Sequence, residues 1–140
     1  IHPEYDNVIV SFDGVDLDNK FIVEVKCPKF SWNFKNIFTD GIPEHYYPQV
    51  QLQLFVANAH WGITKAYFGS YFPDGAYITD YIAFKDNLET LIVIDEDYNE
   101  QYCKSMLKVI DRFISNVEYD HWDEEEYQEV VERFNKETKE

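Results

Sequence analysis

Between Phe21 and Pro28 the chain reads Phe-Ile-Val-Glu-Val-Lys-Cys-Pro, an apolar run that carries one acid and one base two residues apart. Its β-branched and aromatic content suits a strand, and Pro28 ends the pairing. Side chains alternate across a strand, so Glu24 and Lys26 leave from the same face. Just upstream, Val8 to Phe12 predicts a second strand, with Ile9, Ser11 and Asp13 on one face and Val8, Val10 and Phe12 on the other. Asp16-Leu-Asp-Asn between the two runs is rich in turn-formers and predicts a hairpin. Pairing the runs brings Asp13 toward the face that holds Glu24 and Lys26. Two carboxylates and an ammonium then converge where core residues belong, an expensive arrangement unless a cation and a reaction require it. The ordinary alternative is a surface hairpin with an exposed Glu–Lys pair, which contributes little to stability.

The chain's 140 residues suffice for one domain with a real core, and its 45% apolar and 18% aromatic content argues against disorder. No apolar run reaches the length of a membrane span, and no signal-peptide pattern is visible. The two cysteines, Cys27 and Cys103, form neither a disulfide framework nor a Cys-rich metal site, so a reducing, cytoplasmic setting is expected. Because the chain opens on Ile1 rather than Met, it reads as a fragment lacking an N-terminal part. The net charge of −15 is the opposite of a nucleic-acid binder's basic footprint. From Glu118 onward lie ten acidic and three basic residues, which predicts a distinct acidic C-terminal helix over 118–140.

Beyond Pro28, the aromatic-rich stretch from Lys29 to Ile42 reads as a packed loop. A helix is expected from about Glu44 to Ala59, with Pro48 in its first turn. On it Tyr46, Gln49 and Gln53 share one stripe, and Val50, Leu54 and Ala57 lie on a neighbouring one. Thr64 to Tyr71 predicts a strand, Phe72-Pro-Asp-Gly a turn, and Ala76 to Phe84 and Leu88 to Ile94 two further strands. Helical periods follow over Tyr98–Val117 and Asp123–Lys136.

Three motifs occur in order: Ser11-Phe-Asp-Gly, then Val23-Glu-Val-Lys-Cys-Pro, then Tyr46-Tyr-Pro-Gln-Val-Gln-Leu-Gln. Together they resemble the PD-(D/E)xK nuclease superfamily, and within it the lambda-type exonucleases and YqaJ-like viral recombinases. Phe12 stands where the superfamily name has proline. The resemblance implies an α/β, restriction-endonuclease-like fold, a mixed central sheet flanked by helices, in a single nuclease core domain. It implies a phage-type DNA exonuclease that uses Mg²⁺, with Mn²⁺ able to substitute, to resect double-stranded ends for recombination. A single-strand annealing protein and a ring-shaped homo-oligomer are the implied partners. An N-terminal helical region, which these families usually carry, has no counterpart here. Two other readings stay open: an endonuclease on the same core, and an inactive nuclease-like module for DNA binding or assembly.

The residues suit that chemistry. Phosphodiester hydrolysis needs an activated water, charge relief at phosphorus and a stabilised leaving oxygen, all of which a hard divalent cation on oxygen ligands supplies. Asp13 and Glu24 provide two carboxylates. The resemblance adds the carbonyl of Val25 as a third ligand, Lys26 to orient or deprotonate water, and Gln49 beside the metal–water cluster or the scissile phosphate. It gives Tyr46 and Gln51 the tasks of holding the helix and contacting substrate. For Gln49 and Gln51 the competing role is an amide satisfied inside a helix–sheet interface. Gln53 reads first as structural. Lys29, Trp32, Phe34 and Lys35 read as cover for a sheet edge before a DNA grip, the four histidines as structural or exposed, and Cys27 as a small packing residue.

Overall fold

A computed structural model describes residues 1–27, 41–71, 91–118 and 124–139. All but the last two residues of the predicted loop over Lys29–Ile42, the turn at Phe72–Gly75, the strand over Ala76–Phe84, and His121 lie outside the described residues. The chain is α/β and divides into two compact units, Ile1–Tyr98 and Asn99–Glu140.

The first unit is built on a mixed sheet in the order β1-β2-β3-β4. β1 (Gly14–Asp16) pairs antiparallel with β2 (Phe21–Lys26) through Gly14–Val23, Val15–Ile22 and Asp16–Phe21. β2 runs parallel to β3 (Lys65–Tyr71), and β3 pairs antiparallel with β4 (Leu91–Asp97). Between β2 and β3 the chain passes through helix α1 (Tyr47–Trp61), the crossover that a parallel pair requires. Ile22, Ala66 and Phe68 from the strands close on Val50, Leu54 and Ala57 of the helix, with Ile63 completing the buried core.

β2 begins and ends where the sequence predicts, whereas β1 does not. Val8–Phe12 keeps the expected alternation of burial, with Val8 buried and Ile9 exposed, but makes no ladder. Its backbone is committed elsewhere. Val8 donates to the Tyr5 carbonyl and accepts from His2, and the Ser11 carbonyl accepts from Gln53 of α1. Pairing therefore starts only at Gly14. The turn that follows is held by the Asp16 carboxylate, which accepts from the Asp18 and Asn19 amides and from the Asn19 side chain.

α1 starts three residues later than the sequence period predicts, because residues 44–46 form a turn in which the Tyr46 amide donates to Pro43. Its buried residues run from Val50 and Gln51 through Gln53 to Ala57, so the helix is enclosed on several sides. Gly62 ends it in the left-handed region at φ 68°, donating to the Asn58 carbonyl. Cys27 is exposed just past β2, not packed as predicted, since Lys26 is the last residue of the ladder. Among the histidines, His2 stacks on Phe55 at 4.2 Å, and its burial holds its pKa below the usual imidazole value.

The second unit is a helix pair, α2 (Glu100–Glu118) and α3 (Glu124–Lys139). Asn99 caps α2 by accepting from the Tyr102 amide, which sets the start at Glu100 rather than Tyr98. Tyr102 meets Phe134 edge-on at 5.5 Å, and the Ser105 hydroxyl donates to Glu137 across the pair. Burial pushes the Cys103 thiol up to about 12. Among the described residues no helix is long and apolar enough to cross a membrane.

Two outcomes test this architecture. An added Cβ at Gly62 meets nothing within 4 Å, so Gly62→Ala is expected to lower unfolding stability through backbone strain alone, by about 1 kcal/mol in a urea titration. Hydrogen bonds from Asn19 hold the Asp16 carboxyl below its ordinary pKa. The turn's contribution is therefore complete above the ordinary aspartate range and fades as pH falls through the depressed value. An NMR titration of the Asp16 carboxyl is expected to show that lowered midpoint.

Candidate metal centre

Glu24 sits in the middle of β2 on the face covered by α1, and only 5% of it is exposed. Ile22 and Lys26 share that face by the strand's two-residue period. Three donors reach the buried carboxylate. Lys26 Nζ lies 2.6 Å from Oε1, Gln49 Nε2 donates to the same oxygen at 2.8 Å, and Gln53 Nε2 donates to Oε2 at 2.7 Å. An ionised carboxylate offers about four acceptor positions, so this set leaves room for one more partner.

Asp13 stands immediately before β1, exposed, and its Oδ2 accepts from the Val25 amide at 2.8 Å. The backbone N–H and C=O of one residue in an extended strand point to the same edge. The Val25 carbonyl therefore faces the edge occupied by Asp13. β1 covers β2 only as far as Val23, so this edge has no strand partner from β1 at Val25. Asp13 thus reaches the backbone between Glu24 and Lys26, at the edge of the strand rather than on the face those two side chains share.

Lys26 is held from two sides. Its Nζ lies 5.0 Å from the centroid of the Tyr46 ring as well as against Glu24. Tyr46 in turn packs on Phe68, with 5.8 Å between ring centroids. Tyr46, Gln49 and Gln53 thus meet β2 along the helix stripe that their spacing predicts.

Gln51 lies elsewhere. It is fully buried and donates to the Asp97 carbonyl at the end of β4, at 2.8 Å. Two residues along a helix is a rotation of about 200°, which turns Gln51 away from the stripe that meets Glu24. Its amide holds the helix to the sheet. Gln53, expected from sequence to be structural, touches the candidate carboxylate directly. Its four-residue spacing from Gln49 is the signal that places both on Glu24.

Among the described residues, no three His, Cys, Asp or Glu side chains converge into a cluster that could hold a metal. The groups that the sequence nominates, the Asp13 and Glu24 carboxylates and the Val25 carbonyl, are all hard oxygen donors. That set fits Mg²⁺, which binds through one or two carboxylates and keeps several waters. It does not fit a soft metal, which prefers thiolate or imidazole.

Removing the buried carboxylate strands its donors. Glu24→Leu is expected to reduce unfolding stability by about 2 kcal/mol, and Asp13→Ala, at an exposed position, by less than about 1 kcal/mol. Urea unfolding of the two variants side by side measures the difference.

Residues 1–60, which contain all three motifs and the whole of the Glu24 network except its β3 and β4 supports, match the model of the YqaJ-like viral recombinase domain. This is one of the two families that the motifs resemble. Among curated proteins none matches the chain.

Proposed function

We propose that this chain carries the catalytic site of a phage-type, divalent-metal-dependent deoxyribonuclease that acts as an exonuclease at double-stranded DNA ends during recombination. The observation that carries this reading is the joining of the three motifs around one strand. Asp13 bonds the Val25 backbone between Glu24 and Lys26, while Gln49 bonds Glu24 from α1. All of these residues fall in the stretch that matches the viral recombinase family.

In this reading Asp13, Glu24 and the Val25 carbonyl hold Mg²⁺, for which Mn²⁺ can substitute. The cation, when bound, supplies positive charge to the phosphate and makes a neighbouring water more acidic. The chain's own residues do the rest. Lys26 Nζ, steadied by Glu24 and the Tyr46 ring, orients the attacking water and exchanges a proton with it. Gln49 offers a neutral amide that donates to Glu24 without opposing the cation's charge. Tyr46, beside Lys26, contacts the substrate strand, and Gln51 keeps α1 seated while this happens.

The resemblance extends the proposal to a single-strand annealing protein as partner, a homo-oligomeric ring, and work in the host cytoplasm. The acidic net charge of −15 restricts long nonspecific contacts with DNA, so engagement at an end, through the cation and a few groups, suits this chain better than broad backbone tracking.

The test combines binding with digestion. Mn²⁺ titrated calorimetrically into the full-length protein is expected to bind, and Asp13→Ala and Glu24→Ala to lose that binding. With Mg²⁺ present, linear duplex is expected to be degraded and covalently closed circles spared, with both variants slower by about a thousandfold or more. Nicking of circles would identify an endonuclease instead. Cation binding that is undiminished in both variants would overturn the site assignment.

A further inference from the structure

Gln53 makes two hydrogen bonds that join the two carboxylate-bearing segments. Its Nε2 donates to the Ser11 carbonyl at 2.8 Å and to Glu24 Oε2 at 2.7 Å. A primary amide has two N–H groups, so both donors are used. Turning the amide over would set its oxygen against a carbonyl and a carboxylate, so these neighbours fix its orientation. Ser11 precedes Asp13 by two residues. One side chain on α1 thereby ties Glu24 to the backbone that delivers Asp13.

The arrangement has a cost that packing does not explain. Gln53 is 2% exposed, and its Oε1 has no hydrogen-bond partner among the described residues. A buried acceptor without a donor costs about 1–3 kcal/mol. An apolar side chain of similar length would fill the space without that orphaned oxygen. The two donated bonds are what such a substitution would remove.

We propose that Gln53 is a positioning residue for the cation site. It fixes the Glu24 carboxylate through Oε2, and the Ser11–Asp13 segment through the Ser11 carbonyl, so that both carboxylates face one divalent cation. Gln49 and Lys26 act on the other oxygen of Glu24. The proposal rests on the reading of Asp13 and Glu24 as cation ligands. Residues that orient metal ligands typically govern metal affinity by about 10–100-fold.

The experiment compares wild type, Gln53→Leu and Asp13→Ala as full-length proteins, with Mn²⁺ alone as the calorimetric probe. Wild type is expected to bind Mn²⁺, Asp13→Ala to lose binding, and Gln53→Leu to bind about 10–100-fold more weakly while remaining folded by circular dichroism. Digestion by Gln53→Leu is expected to recover as Mn²⁺ is raised, with KM for DNA unchanged. A residue that merely supports the fold would lower the melting temperature and leave the folded protein's Mn²⁺ affinity at the wild-type value.

The outcomes separate the two ideas. Wild-type affinity in Gln53→Leu, together with lost binding in Asp13→Ala, overturns the role of Gln53 and leaves the cation site standing. Absence of Mn²⁺ binding by wild type, or undiminished binding by Asp13→Ala, overturns both. If Gln53→Leu does not fold, the wild-type protein decides by NMR. The Gln53 side-chain amide resonance is expected to move during Mg²⁺ titration with the midpoint of cation binding, and to stay fixed in Asp13→Ala. A resonance that does not respond in wild type overturns the proposal.

Discussion

A carboxylate withdrawn from water must have donors at fixed positions, and Glu24 draws its donors from two directions. Lys26 comes from the same strand, whereas Gln49 and Gln53 come from successive turns of α1. The helix is therefore set on the sheet by polar geometry as well as by the packing of Val50, Leu54 and Ala57. Rotation by one residue, about 100°, would present Val50 to the carboxylate and withdraw both amides. Apolar packing alone distinguishes poorly between neighbouring settings of a helix that is buried on several sides. Directional bonds to a charge distinguish them strongly.

The same bonds connect parts of the chain that are distant in sequence. Ser11, Glu24 and Gln53 meet at one amide, and Asp13 reaches the Val25 backbone from the far side of the hairpin. Core residues beneath this network come from β2, β3 and α1 together, so the βαβ crossover and the site are one construction. Glu24 is enclosed by donors from its own strand and from α1, while Asp13 and Val25 meet beside it at the exposed edge of the sheet.

Some of this was readable from sequence because it depends on short, strict periods. The two-residue period of a strand puts Glu24 and Lys26 on one face, and the four-residue helical spacing puts Gln49 and Gln53 on one stripe. β2 and α1 were legible for the same reason. β1 was not, because its start depends on a bond from Gln53 to the Ser11 carbonyl across 42 positions. Local alternation in Val8–Phe12 survives without a strand partner, because that pattern reports burial and not pairing. Gln51 illustrates another limit. The motif gives three glutamines alike, but the helix turns the middle one toward Asp97. Cys27 looked like packing material because the apolar run reaches it, yet the ladder stops at Lys26.

The three-residue β1 lies beside a six-residue β2. That mismatch in length leaves backbone groups at Val25 outside the hairpin ladder, where a side chain, Asp13, takes the amide. Had the ladder continued by one more pair of residues toward the N-terminus, a neighbouring strand would have consumed the Val25 amide and carbonyl together. The sheet would have gained hydrogen bonds and forfeited an oxygen donor. The region from Phe12 to Gly14 is thus unlike an ordinary loop, since its failure to become strand is what leaves the Val25 amide to a carboxylate. In the proposed reading, changes that improve it as β-structure would work against cation binding.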